Sequence, residues 1–346
     1  MTSSQPITDR RLSTFWTCME KHRIEYELGY RPPHFESGRL SRAWPAIANR
    51  TFLAASLPGA PESPVTEDLI KKVVGWIPSH YHWIDRAKLA ATAEAAIRVL
   101  SEGQFFQRQE VLLVGAPYSF QHLNPDTKAP SPLWSRSGVV DAVVRHRYSG
   151  DLSLVKHLTT DEPIDLASRY WDRIRMDNRV AADVIGAATH GYRVSTVIYM
   201  AASKCQLSPL MATPAEKRRY TVASPGEPSR LYAGQRAEPE SKAEFYERVR
   251  LALVTSPMDY FRTAHIPWDE RRTEAHLKDA WNASQVMRIA RLNGWSPRNP
   301  DACHRFGTCP WFRVCCGQEG LDSERFRSSV PVDEEVPKEA LYKRST

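Results

Sequence analysis

The stretch from Gly138 to Asp183 fixes more about the fold than any other part of the chain. Gly138-Val139-Val140-Asp141 and the run from Leu152 to Thr160 are rich in β-branched and apolar residues, and the turn Ser149-Gly150-Asp151 joins them. Two such runs around a glycine-containing turn form a hairpin. The segment that follows carries Tyr170-Trp171 and Asp177-Asn178-Arg179 at helical periodicity, so it reads as a helix packed on that hairpin. The result is a β-β-α unit around which the other elements must be arranged.

Upstream, residues 9–29 read as one helix with Asp9 as N-cap and Gly29 as its stop, and Leu12, Phe15, Met19 and Ile24 give it an apolar side. Residues 56–66, rich in proline, serine and glycine, read as a loop, and residues 85–100 as an alanine-rich helix. Val111–Val114 and Tyr118–Phe120 read as strands interrupted by Gly115 and Pro117, with a turn over Asn124–Lys128. Downstream, Val194–Tyr199 reads as a central strand. Residues 207–240 read as a polar surface excursion with the basic cluster Lys217-Arg218-Arg219, which serves as a solvated face or a phosphate contact. Residues 241–261 and 268–293 read as two long helices, and the tail has no clear pattern. Four regions follow: helical over 1–105, the α/β core over 106–205, helical again over 206–317, and a tail over 318–346.

A chain of 346 residues with 42% hydrophobic content can bury a sizeable core. It has no apolar run of about 18 residues, and Met1-Thr2-Ser3-Ser4-Gln5-Pro6 lacks a charged-then-apolar leader, so a cytoplasmic protein with no membrane partner is expected. A net charge of +7 favours polyanions such as nucleic acid. Six cysteines in a reducing compartment are not a disulfide framework. Cys18 lies near the start and Cys205 stands alone, whereas Cys303, Cys309, Cys315 and Cys316 crowd together near the end. Structural zinc sites draw on close Cys-x-x-Cys pairs, which are absent here, while an iron–sulfur cluster can take thiolates from distant segments. Buried free thiols, a zinc site and such a cluster all remain open on spacing alone.

The core and its flanks resemble the PD-(D/E)XK nuclease superfamily, in particular its RecB-like and phage branch whose members carry an iron–sulfur cluster. The likeness is carried by Leu28-Gly29-Tyr30-Arg31-Pro32, by Asn124-Pro125-Asp126-Thr127, by Asp141 closing the first strand of the unit, by Thr159-Thr160, and by the cysteine set with Cys309-Pro310-Trp311 at its middle. The resemblance implies a restriction-endonuclease-like α/β fold: a mixed β-sheet flanked by helices, with N- and C-terminal segments joined at a Cys-ligated 4Fe-4S cluster. Its ligands would be Cys18, Cys303, Cys309 and Cys315, with Cys316 as the alternative to Cys315. The same alignment puts Asp141 on the first metal ligand, Lys156 on the family's Glu, Leu158 on its Lys, and Arg179 and Asp183 on the Gln and Tyr of its helix. Pro45 stands where relatives usually carry a His.

These departures matter chemically. The family's reaction needs carboxylates around a hard cation and a Lys beside the attacking water. Lys156 brings positive charge to the metal position and Leu158 donates nothing, so bound Mg or Mn is not expected and the active site reads as degenerate. Inward residues on adjacent strands come within reach of each other, so Lys156 is expected to pair with Asp141 in place of a metal. The alternative is that Lys156 faces solvent while Asp141 caps a turn. Arg169, Arg173, Arg175 and Arg179 either contact nucleic-acid phosphates or pair with Glu162, Asp172 and Asp177. What the resemblance implies is a catalytically inactive, nucleic-acid-binding or scaffolding subunit of DNA metabolism in a bacterial or phage-infected cell, with protein partners in a larger complex. Two alternatives stand beside it: an active metal-dependent exonuclease with carboxylates relocated to Asp151, Asp177 or Asp183, and a purely structural subunit.

Overall fold

The computed structural model describes residues 4–31, 39–56, 67–77, 79, 81–177, 179–221, 229–305, 307–328 and 341–343. The loop expected over 56–66 falls, past Ser56, outside the described residues, as do Pro32, Asn178 and most of the tail from 329 onward.

Strand β1 (Gln5–Ile7) and helices α1 (Asp9–Thr17) and α2 (Met19–His22) come first, followed by a π-helical turn over Arg23–Glu27 and β2 (Tyr30–Arg31). Helices α3 (Arg39–Ser56), α4 (Glu67–Gly75), α5 (Trp83–Glu102) and α6 (Phe105–Arg108) lead into β3 (Gln109–Leu123), β4 (Pro130–His146) and β5 (Leu152–Thr160). Next come α7 (Arg169–Met176), α8 (Ala181–Thr189) and β6 (Thr196–Ser203). Helices α9 (Lys242–Thr255) and α10 (Pro257–Tyr260) precede β7 (Phe261–Pro267) and α11 (Glu270–Asn293). A short α12 (Phe312–Cys315) and strands β8 (Arg327–Ser328) and β9 (Tyr342–Lys343) follow.

Seven strands form one mixed sheet in the order β7-β6-β5-β4-β3-β9, with β1 pairing β4 off that path. Strands β3, β4 and β5 meander antiparallel, β5 and β6 run parallel, and β7 is antiparallel to β6. The parallel step needs a crossover, and α7 with α8 supplies it. Alternation along the strands then splits the core in two. Val155, Ile198 and Met200 face α3, α4 and α5, whereas Leu154, Val197 and Tyr199 face Tyr170, Trp171, Ile174, Ala182 and Ala187 of the crossover helices. The chain is therefore a mixed α/β protein whose sheet is flanked by helices on both faces.

Four element readings change. The helix expected over 9–29 breaks at Cys18, which is extended at φ −162° and ψ 117°. The reason lies in the C-terminal segment: Asn299 Nδ2 donates to Thr17 O at 2.9 Å and Glu20 N donates to Pro297 O at 3.1 Å, engaging backbone that a continuous helix would use. Its N-cap is Thr8, whose Oγ1 accepts from Arg11 N at 3.1 Å, rather than Asp9. The core helix is likewise two helices, because the Asp177 carboxylate accepts from Arg179 N at 2.9 Å and turns the chain between them. The interruption expected at Gly115 and Pro117 is absent: β3 runs through it, absorbing the irregularity with a bulge between Val111 and Leu113 and with Gly115 at φ +58°. Finally, residues 261–267 form β7 instead of joining two helices.

Candidate functional site

The register of β4 and β5 pairs Ala142 with Val155 and Val143 with Leu154, so Asp141 and Lys156 fall on the same face one step further along. Lys156 Nζ lies 3.3 Å from Asp141 Oδ2, which also accepts from His157 N at 3.1 Å. The pairing expected between Lys156 and Asp141 is thus present, and the solvent-facing alternative is not. Lys156 Nζ also lies 2.7 Å from Asp183 Oδ2 of α8, so one ammonium bridges two carboxylates. Tyr118 Oη of β3 donates to the other Asp183 oxygen at 2.9 Å. Leu158, two residues on along the same face of β5, packs into the apolar core against the crossover helices.

Burial and charge compete within this group. Burial works against the Lys156 ammonium, but Asp141 and Asp183 outweigh it and hold the amine above its ordinary value. Burial pushes the Asp183 carboxyl up to about 6 despite the pull of Lys156. Burial together with the charge of Asp183 raises Tyr118 well above an ordinary phenol. The geometry therefore favours Tyr118 as a donor and Lys156 as a fixed cation. Room for the tyrosine ring comes from two glycines. A Cβ on Gly186 would lie 2.3 Å from Tyr118 Cδ1, and one on Gly138 would lie 2.3 Å from its hydroxyl.

A second polar group continues from the first towards α1. Arg136 of β4 is 1% exposed, donates to Asp9 Oδ1 at 2.6 Å and lies 3.0 Å from His276 Nε2 of α11. Burial and Arg136 lower His276 to about 4, so it meets the guanidinium as a neutral acceptor. Near it, His122 Nε2 lies 3.1 Å from Ser284 Oγ, and burial lowers His122 to about 4 as well.

Three of the four arginines expected to meet phosphates are engaged on the protein itself. Arg173 pairs with Glu162 at 2.7 Å, Arg175 with Asp172 at 2.9 Å, and Arg179 clamps Asp177 while its Nη1 reaches Ser13 Oγ at 3.3 Å. Arg169 is exposed. Exposed pairs of this kind are weak, and their charges remain available to a polyanion. Of the relocated carboxylates considered, Asp151 sits in the exposed hairpin turn and accepts from Ser149 Oγ, Asp177 is held by Arg179, and Asp183 alone joins Asp141.

The cysteines from the two ends of the chain share one neighbourhood. The break at Cys18 faces the segment that carries Pro297 and Asn299, and Trp311 Nε1 donates to Glu25 Oε1 at 2.9 Å. Ile24, Trp311 and Phe326 form a small apolar core against which Cys309 and Cys315 pack. Cys309 N donates to Cys303 O at 2.7 Å, closing the loop between them. Burial raises all three of these C-terminal thiols, Cys315 to about 11, and the charge of Cys18 adds to the rise in each. A donor set of sulfur alone, with thiolates that need a cation to form, suits a soft centre. Among the described residues, no group of three or more His, Cys, Asp or Glu side chains is placed so as to hold a metal ion as it stands. Cys316 is exposed and Cys205 is buried in the core between α5 and α9, away from the set.

Tyr118 is the participant that sequence reasoning did not find; Asp183 was expected at the family's Tyr position or as a relocated carboxylate, but not as a second partner of Lys156. A signal for that pairing existed: one carboxylate in the otherwise apolar run Ala181-Ala182-Asp183-Val184-Ile185 must be buried with a cation or a donor. Comparison with models of protein families and with curated protein sequences gives no match to this chain.

Proposed function

We propose that the chain is a catalytically inactive, nuclease-like iron–sulfur protein that binds nucleic acid or scaffolds a larger complex in phage or mobile-element DNA metabolism. The observation that carries the reading is Lys156, whose ammonium stands between the carboxylates of Asp141 and Asp183 where a divalent cation would be held. With Tyr118 Oη and His157 N as further donors, each carboxylate has two polar contacts without a metal. Leu158 adds no group able to position water. The proposed fold is the restriction-endonuclease type, for which the mixed sheet and the β-β-α core are the support.

In the same reading Cys18, Cys303, Cys309 and Cys315 hold a 4Fe-4S cluster, with Cys316 as the substitute for Cys315. Bound there, the cluster supplies a structural crosslink between the ends of the chain. Anaerobically purified protein is expected to contain about four irons with matching sulfide per chain, and Cys18→Ser to lose most of both. Iron absent from the wild type, or zinc in its place, removes the cluster from the proposal.

One observation favours a second reading, a metal-dependent exonuclease with a rebuilt site: Asp183 and Asp141 converge on one amine, the residue types such chemistry uses. Digestion of end-labelled single- and double-stranded DNA with Mg²⁺ or Mn²⁺, beside Asp141→Ala and Asp183→Ala, separates the two. No cutting by a folded wild type supports the inactive subunit. Cutting that both substitutions abolish establishes the exonuclease instead.

A further inference from the structure

The two edges of the sheet are finished differently. At one edge, β9 lies along β3 through Leu113 with Lys343 and Val114 with Tyr342. At the other, β7 is the last strand, and among the described residues no hydrogen bond reaches its outer backbone. Exposed edges are usually blunted by charge or proline. Here Pro267 comes only at the end of β7, and the guanidinium of Arg262 is turned back to Met258 O at 2.8 Å. Among the described residues, nothing of this kind guards the stretch Thr263–Ile266.

A cleft flanks this edge on each face of the sheet. The larger, about 280 Å³, is walled by Leu166, Trp171, Ala264 and Ile266, with Arg175 at its rim. The smaller, about 140 Å³, lies across the strand between Phe105, Thr263 and His265, with Arg108 and Gln109 beside it. Neither lining contains an Asp or Glu. Side chains of an added strand alternate between the two faces, so successive residues would meet first one cleft and then the other. The first takes an apolar side chain, because its walls are apolar and Leu166 is 81% exposed over it. The second is walled by Val99, Leu100 and Phe105 and carries the guanidinium of Arg108, whose hydrogen bond goes to the neutral Gln104 side chain, so it complements a side chain with an apolar stem and a carboxylate end, such as glutamate.

We infer that β7 is a docking edge for an extended segment of a partner protein that adds a strand to the sheet and alternates apolar with acidic residues. The inference rests on the sheet edge and is independent of the Lys156 group. Main-chain hydrogen bonds would supply affinity and the two clefts the choice of sequence.

The test uses the full chain and two fluorescein-labelled peptides of the length of β7, one alternating leucine with glutamate and the other leucine with lysine. Fluorescence anisotropy is expected to show saturable binding of the first, at least about tenfold tighter than the second. Arg108→Glu and Leu166→Asp, both at exposed positions, are each expected to weaken it by about tenfold with unchanged melting temperatures. Amide hydrogen exchange at Thr263–Ile266 is expected to slow when the peptide binds. No saturable binding, equal binding of both peptides, or protection elsewhere overturns the inference. A dimer in sedimentation that Leu166→Asp dissolves assigns the edge to a second copy and overturns it too.

Discussion

Lys156 is the residue on which the centre of the molecule balances. Removing it in Lys156→Met leaves two buried carboxylates facing each other, and truncating one partner of a buried charge group costs about 3–5 kcal/mol. Chemical denaturation should show a loss of that order. Asp141→Ala should destabilise as well, since the ammonium keeps Asp183 but loses its neighbour; a melting temperature equal to wild type would refute a structural role for the pair. Asp183 gives the group a pH signature. Its carboxyl is raised from 3.8 to about 6 in the folded protein, so its contribution to stability is full below 3.8 and is lost as the pH rises through about 6. Asp183→Asn should remove that downward slope, read as the difference between the two stability–pH curves. At this scale the sequence told half the story. The Asp141–Lys156 pair was legible because strand pairing brings inward neighbours together, whereas the contacts of Asp183, a candidate in another role, and of Tyr118 come from elements whose placement only packing decides. His157 was missed for a related reason: it faces the opposite side of β5, 4% exposed beside Phe52, with neither ring nitrogen partnered among the described residues. His157→Leu should therefore raise the melting temperature, because it removes buried polar atoms without orphaning a partner.

Among the elements, the seam between β3, β4 and α8 is set by a single ring. Tyr118 fits only because Gly138 and Gly186 carry no side chain at its two sides. Gly186→Ala should cost about 1–3 kcal/mol through overpacking, even though alanine is the better helix former. Adding Tyr118→Ala to it should recover part of that loss, and a double-mutant cycle that comes out additive would disprove the steric coupling. The β-β-α unit was legible because its strands and turn carry their own propensities. The breaks at Cys18 and at Asp177 were not, since each is imposed by a hydrogen bond rather than by local composition: one from Asn299, far along the chain, and one from Arg179. Strand β7 was hidden for another reason, lying between two strongly helical stretches whose periodicity overran it.

For the whole molecule, four buried histidines outweigh Asp183 in acid. Burial lowers His22 to about 3 and His122, His157 and His276 to about 4. Each is a base whose folded value lies below its unfolded one, so its contribution is present above about 6.5 and is lost as the pH falls through the folded value. Net stability should therefore decline between pH 6.5 and 4, which thermal melts across that range would show as a steady fall in melting temperature. A flat profile would mean that these rings are not buried as neutral bases. The mixed α/β class was visible in the sequence; the joining of its two ends came only from the cysteine resemblance, because no local pattern records a contact across nearly the entire chain. That contact has a consequence during synthesis. The backbone of Thr17 and the carboxylate of Glu25 wait for Asn299 and Trp311, 282 and 286 positions later, so α1 and the turn after it leave the ribosome long before the partners that fix them. Until residues 309–326 emerge, Tyr30 is the one described apolar partner that Ile24 has, and the nascent chain carries an open flank while everything between is made.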